Sequence, residues 1–376
     1  MTNHDKIANL GARDANKMNK PEWIAVAAGA LLGTAAALFI HHLYNTNSSS
    51  AREDLLGMMP GDAAAVLFVN LAELRTAPFV TQLFAWAPQP ELDEDYARFI
   101  KQTNFNYERD LDHFAIAFEK AGQDSAFFAV ADGRFDHQKI SALAAKSGTV
   151  ERRNGSEIFA IPETSAAKRV YLKFLSNDRI ALTNRSDPRQ ILGALKRSAD
   201  AVEWRARFER VAGSPIFAVI RQDAAPGAEL SAQAPGGFRS PELSSMLDQL
   251  LWITLAGKTE NDRLRLVVEG ESATDDNAVR FADLLNGVLT LAETGLNDAK
   301  TRQQLDPSLR EAYLTLLKGA DVSRINRGDT KSVRLAFEIT PEFLESARRF
   351  STRSTGDTLA KPATGSTAPR SKKGHT

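Results

Sequence analysis

Residues 109–131, RDLDHFAIAFEKAGQDSAFFAVA, decide the reading of the fold. From His113 to Glu119 the apolar residues alternate. Phe114, Ile116 and Phe118 fall on one side and Ala115 and Ala117 on the other, the period-two signature of a strand. Ser125–Ala131 is a second strand, and Gly122 and Asp124 between the two supply turn chemistry, so the pair reads as a hairpin. Upstream, Ala63–Asn70 (AAAVLFVN) is an almost uninterrupted apolar run, which fits a strand buried on both faces. Downstream, the spacing predicts a helix over Asp136–Lys146 with Ile140, Leu143 and Ala144 inward. Strands follow near Val150 and over Ser156–Ile161, Arg169–Leu175 and Arg179–Thr183, the last two joined by Ser176-Asn177-Asp178.

The same order recurs. MLDQLLWITLAGK (246–258), LRLVVEGES (264–272) and NAVRFADLL (277–285) repeat the succession of Leu-Asp, strand, polar turn, strand and helix. SPIFAVIR (214–221) answers AAAVLFVN, and SRINRGDTKSVRLAFEI (323–339) answers VERRNGSEIFAI (150–161). A tandem repeat of two units follows, with a boundary near 198–213. The longest helix is expected over Asp275–Glu293, with Phe281, Leu284, Leu285, Val288 and Leu291 inward. Asp187-Pro188, Asp306-Pro307 and Thr340-Pro341 each place a capping side chain before a proline, whose missing N–H costs nothing at the first helical position. After Pro307 an apolar stripe runs through Leu309, Ala312, Tyr313, Leu316 and Leu317.

Near the start, Trp23–Ile40 (WIAVAAGALLGTAAALFI) contains no charged residue. Its length as a helix, roughly 27 Å, approaches the hydrocarbon thickness of a bilayer. Lys6, Arg13, Lys17 and Lys20 precede it and the next Lys or Arg is Arg52, a bias that keeps the N-terminus in the cytoplasm and sends the rest across. The apolar run exceeds the h-region of a cleavable signal peptide, so an uncleaved single-pass anchor in the cytoplasmic membrane is expected. Within it Ala25, Gly29, Gly33 and Ala37 recur every four residues, a small-residue stripe on which two such helices can pack as a homodimer. The expected organisation is α+β. A cytoplasmic segment (1–22) and a transmembrane helix (23–44) lead through a polar spacer (45–54) into two similar antiparallel-sheet modules, 55–200 and 201–350. Helices cover one face of each module, and a basic, disordered tail (351–376) closes the chain.

Lys and Arg number 47, as do Asp and Glu, so no global charge draws the chain to nucleic acid, and the absence of cysteine removes thiol nucleophiles, Cys-based zinc sites and iron–sulfur clusters. Nucleotide-binding glycine loops and the serine-nucleophile elbow are missing too. The one metal-ligand constellation in the body would draw on Asp110, Asp112, His113, Asp136 and His137, but no pair stands at helical ligand spacing, and strand-end caps are the plainer reading. Glu94 and Asp95, with Asp93, read as a solvated helix start, and Arg205, Arg207 and Arg210 form a basic run broken by Glu203 and Glu209. The Pro/Gly-rich stretch 224–241 is either a disordered connection or a partner-contact loop ending at Phe238 and Arg239. No catalytic residue and no cofactor is expected. The body reads as a non-enzymatic binding or scaffolding module for a protein or envelope partner. The alternative is a carrier of lipid or another hydrophobic ligand, in a pocket lined by Phe114, Phe118, Phe127 and Phe128.

The anchor, the opening MMPGDAAAVLFVNLAELR (58–75) and the paired sheet-forming halves together resemble uncharacterised bacterial envelope proteins grouped as domain of unknown function 3352. That resemblance spans about residues 55–350 and implies envelope location and α+β architecture, with no assigned chemistry.

Overall fold

The computed structural model describes residues 48–86, 94–119, 126–153, 156–162, 168–185, 199–222 and 245–346. The anchor with Ala25, Gly29, Gly33 and Ala37, the 224–241 stretch, the Asp187-Pro188 helix start and the basic tail lie outside them. Among the described residues no helix is long and apolar enough to cross a membrane.

The elements that follow the N-terminal region are helix α1 (Ser48–Gly57), strand β1 (Ala63–Asn70), helices α2 (Leu71–Thr76), α3 (Pro78–Trp86) and α4 (Glu94–Thr103), a helical turn α5 (Tyr107–Asp110), and strands β2 (Leu111–Glu119) and β3 (Phe127–Gly133). Helix α6 (His137–Ser147) leads to β4 (Thr149–Arg153), β5 (Ser156–Pro162), β6 (Arg169–Phe174) and β7 (Arg179–Thr183). Beyond α7 (Ala199–Arg210) come β8 (Ile216–Arg221), β9 (Leu250–Glu260) and β10 (Arg263–Ser272). Helices α8 (Asp275–Asn297), α9 (Ala299–Gln304) and α10 (Pro307–Lys318) then precede β11 (Asp321–Arg327) and β12 (Thr330–Ile339), with residues 341–346 helical behind Thr340.

Among the described residues all twelve strands form one antiparallel sheet, ordered β11-β12-β10-β9-β8-β1-β2-β3-β7-β6-β5-β4. The two expected modules are therefore not two sheets. β1 and β8, the first strand of each, pair edge to edge with Leu67 opposite Ala218 and Phe68 opposite Phe217. Each would otherwise present an unpaired apolar edge, and pairing removes both edges at once.

Helices lie on both faces of this sheet, where the sequence led us to expect one. On the first face Leu67 and Val69 of β1 and Phe114, Ile116 and Phe118 of β2 join Leu74, Phe79 and Ile140 from α2, α3 and α6. Farther along that face Ile253 and Val333 pack with Ala278, Phe281 and Ala282 of α8. Gly270 permits this approach, since a Cβ there would sit 2.9 Å from Leu250 Cδ1 and 3.2 Å from Phe281 Cε1. On the second face Val66, Phe68, Ala115, Ala117, Phe217 and Val219 are covered by Leu55 and Leu56 of α1 and Trp204 of α7. The reason is in the strands: β1, β2 and β3 are apolar at odd and even positions alike, so one layer of helix leaves half their side chains in water.

The Asp306-Pro307 start is as read, and two further helices begin on capping side chains. Asp136 accepts from Lys139 N at the head of α6, Asp306 from Ser308 N at the head of α10, and Thr274 from Asn277 N at the head of α8. Three expectations shift. Residues 48–54, read as spacer, belong to α1, whose Leu55 and Leu56 are buried. The far end of α8 leaves the sheet, so Leu291 is 69% exposed, and in α10 the buried residues are Leu309 and Leu314 while Tyr313 turns outward against Phe343.

Candidate functional site

The second face carries a groove of about 670 Å³, walled by α1 and α7 and floored by the end of β1. Its floor is apolar and aromatic: Leu56, Met59 and Phe68, with Trp204 and Phe208 rising along one wall. Trp204 is fixed at both ends, its indole N–H donating to the Gly61 carbonyl at 3.1 Å and its ring standing edge-on to Trp252 at 4.9 Å. A pocket of this size and lining falls in the range that holds small organic ligands.

Two side chains of opposite charge, Arg52 and Glu73, line the groove. Arg52, half-buried on α1, donates through Nη2 to the Phe208 carbonyl at 2.8 Å and through Nη1 to the Ala212 carbonyl. These are carbonyls of the C-terminal end of α7, where a cation is favoured. Its guanidinium also lies 4.9 Å from the ring centroid of Phe217 and 5.7 Å from that of Phe68. Burial pushes the Arg52 pKa down, while the carboxylates of Glu53 and Glu73 pull it back up.

Glu73 also lines the groove, at the third position of α2. Asn70 caps that helix by accepting from Glu73 N at 3.0 Å, and its amide donates to Glu73 Oε2 at 3.0 Å. Glu73 Oε1 has no donor among the described residues. Burial raises the Glu73 pKa, offset in part by Arg52 and by the Asn70 hydrogen bond. Arg52 and Glu73 feel each other's charge yet form no direct ion pair among the described residues.

A second charged assembly, beside the groove, is closed. Glu271 of β10, 1% exposed, accepts from Arg207 and Arg210 of α7 at 2.6 Å each. Glu269, two residues earlier, takes Arg327 and, at 3.2 Å, Arg334. Arg207 also stacks 3.9 Å above Trp252. The broken basic run of the sequence thus serves to fasten α7 to the second half of the sheet, with only Arg205 left at the groove rim.

The remaining candidates are dispersed. Asp110 is held by Arg109 and by Asn106 N, Asp112 by Arg75 and Arg134, and Asp136 caps α6. His113 is buried against Phe68, with Nδ1 4.0 Å from Asp132, and burial pushes its pKa down. His137 stands elsewhere, bonded at 3.0 Å to the Ser176 carbonyl and packed on Phe174. Among the described residues no three metal-ligating side chains converge. Glu94 and Asp95 lie in the first turn of α4. The four phenylalanines proposed as a pocket lining are split between the packed cores: Phe114, Phe118 and Phe127 on the first face, Phe128 on the second, none of them at the groove.

Sequence reasoning missed Arg52, Glu73 and Trp204. One signal was available: Ser50-Ala51-Arg52-Glu53 has capping-box spacing just ahead of Leu55-Leu56. Glu73 three residues after Asn70 is the same kind of signal for α2.

No family model and no curated protein matches the chain. Among solved structures it is similar to crystal form I of TP0453, with a TM-score of 0.40 and 10% identity over 79% of this chain and 97% of that one. Crystal form IV of TP0453 gives a TM-score of 0.38 and 11% identity over 80% of this chain and 98% of that one. Likeness at this level is too slight to argue from.

Proposed function

We propose that the chain is a single-pass, membrane-anchored binding protein of the cell envelope, with its N-terminus in the cytoplasm and its α+β body on the other side. The observation that carries this reading is the groove between α1 and α7, with an aromatic floor and two opposite charges held by neighbours rather than by each other. Helix α1 starts at Ser48, a few residues beyond the apolar run that ends near Tyr44, so the groove is built by the first element after the anchor. What supports binding over catalysis is that the buried acids Asp110, Asp132, Glu269 and Glu271 are each paired with arginine.

The carrier reading survives only if transferred to this groove, since Phe114, Phe118, Phe127 and Phe128 fill packed core. The matching order of strands outward from the seam, β1-β2-β3 on one side and β8-β9-β10 on the other, supports descent by duplication. It also supports the resemblance to the domain-of-unknown-function 3352 proteins.

Export and binding are tested separately. A periplasm-active reporter fused after Thr376 is expected to be active; activity only from a cytosolic reporter contradicts the anchored reading. Native mass spectrometry of the full chain extracted from membranes is expected to show a bound small molecule that is lost in Trp204→Glu. Retention of the molecule by that variant would place binding outside the groove.

A further inference from the structure

We infer that the groove takes a zwitterionic lipid headgroup of the phosphoethanolamine class, its ammonium against Glu73 and its phosphate against Arg52. The inference rests on the binding reading above and names its ligand.

The argument starts from the charges at the groove. Arg52 and Arg205 line it with Glu53, Glu73 and Glu209, and Lys258 of β9 also acts on Glu73. Both signs of charge are present, which disfavours a purely anionic ligand. A purely cationic ligand would leave Arg52 without an anion. A ligand bearing both charges on a short spacer satisfies both sides.

The two partners are held in place before any ligand arrives. Two of the five guanidinium N–H groups of Arg52 are taken by the Phe208 and Ala212 carbonyls, which fix the side chain and leave the others for an anion. Glu73 is fixed through Oε2 by Asn70, which leaves Oε1 for a donor. Side chains already ordered cost less to engage, and charge-assisted hydrogen bonds are the stronger kind.

Size then separates a lipid from a free zwitterion. The groove, about 670 Å³, has room beyond the headgroup, and Leu56, Met59 and Trp204 offer an apolar wall for the first carbons of the chains. In sequence, α1 begins a few residues after the apolar run Trp23–Ile40 that is proposed as the anchor.

The test uses the full chain in detergent, titrated with dihexanoyl phosphatidylethanolamine, dihexanoyl phosphatidylglycerol and free phosphoethanolamine, and followed by calorimetry. The ethanolamine lipid is expected to saturate one site and to bind about tenfold more tightly than either other probe. Glu73→Gln, which keeps an acceptor for Asn70, is expected to lose about tenfold for the ethanolamine lipid and nothing for the glycerol lipid. Equal affinity for the two lipids, or an unchanged Glu73→Gln, overturns the inference. Equal affinity for free phosphoethanolamine overturns its lipid part. A chain that rejects all three probes, yet leaves the membrane with another molecule lost in Trp204→Glu, overturns this inference while the binding reading stands.

Discussion

The two halves of the sheet are built from similar strings of elements and are covered differently. Around β1, β2 and β3 both faces are apolar, and helices lie on both. Around β10 and β12 only the face under α8 is apolar; the other carries Glu269, Glu271, Arg327 and Arg334. The strands themselves account for the contrast. AAAVLFVN offers no polar face, whereas RLRLVVEGES and TKSVRLAFEI interleave charge with apolar residues and tolerate water or ion pairs on one side. The groove forms where the two regimes meet, with Phe68 from one half and α7 from the other.

The comparison can be broken most forcefully at its doubly covered centre. Phe68 is 1% exposed, packs on Phe217 at 5.3 Å and floors the groove. Phe68→Ala is expected to cost about 4–5 kcal/mol, read as a lower denaturation midpoint in urea. A cost near 1 kcal/mol would mean that the second helical layer does not seal this face.

Next comes the charged region. Glu271→Ala strips Arg207 and Arg210 of their carboxylate, and removing one member of a buried pair costs about 3 kcal/mol. The low end of the usual range applies because Arg207 keeps its stacking on Trp252 and Arg210 keeps Glu269 within 3.8 Å.

A smaller effect is expected from acid. Burial pushes the Glu269 pKa up, but Arg327 and Arg334 together pull it further down, below its ordinary value. A folded-state pKa below the unfolded one gives stability that is present above the ordinary carboxylate range and is lost as pH falls through the folded value. Thermal melts from pH 6 down to pH 3 should therefore show a loss of stability that is less steep in Glu269→Gln. Equal slopes would contradict the ion-pair account. The smallest effect is expected at the free end of α8, where Leu291→Gln should change stability by no more than about 0.5 kcal/mol.

Much of this was legible in the sequence. Ala63–Asn70 was read with the bounds it adopts, and the alternation of Phe114, Ile116 and Phe118 against Ala115 and Ala117 gave the correct faces of β2. The apolar run of β1 already implied cover on both faces, although one helical layer was expected. Periodicity says which side chains face apart, not which strand edges meet, so the pairing of β1 with β8 was not readable. Leu291 failed because amphipathic spacing marks a potential face without saying how far the sheet extends beneath it. The groove was missed because Asn45–Ser50 is polar and drew Arg52 into a spacer, although Leu55 and Leu56 bury the same helix.

The joining of the two halves into one sheet is the claim on which the groove depends, and a cysteine-free chain allows it to be tested cleanly. Directly opposed residues of an antiparallel pair lie about 4.5–5.5 Å apart at Cα, within reach of a disulfide. In the full chain, Leu67→Cys with Ala218→Cys should close an intramolecular disulfide on mild oxidation, as readily as the hairpin control Ala115→Cys with Val130→Cys. Crosslinking of the hairpin pair alone would contradict the shared sheet and remove the floor of the groove with it.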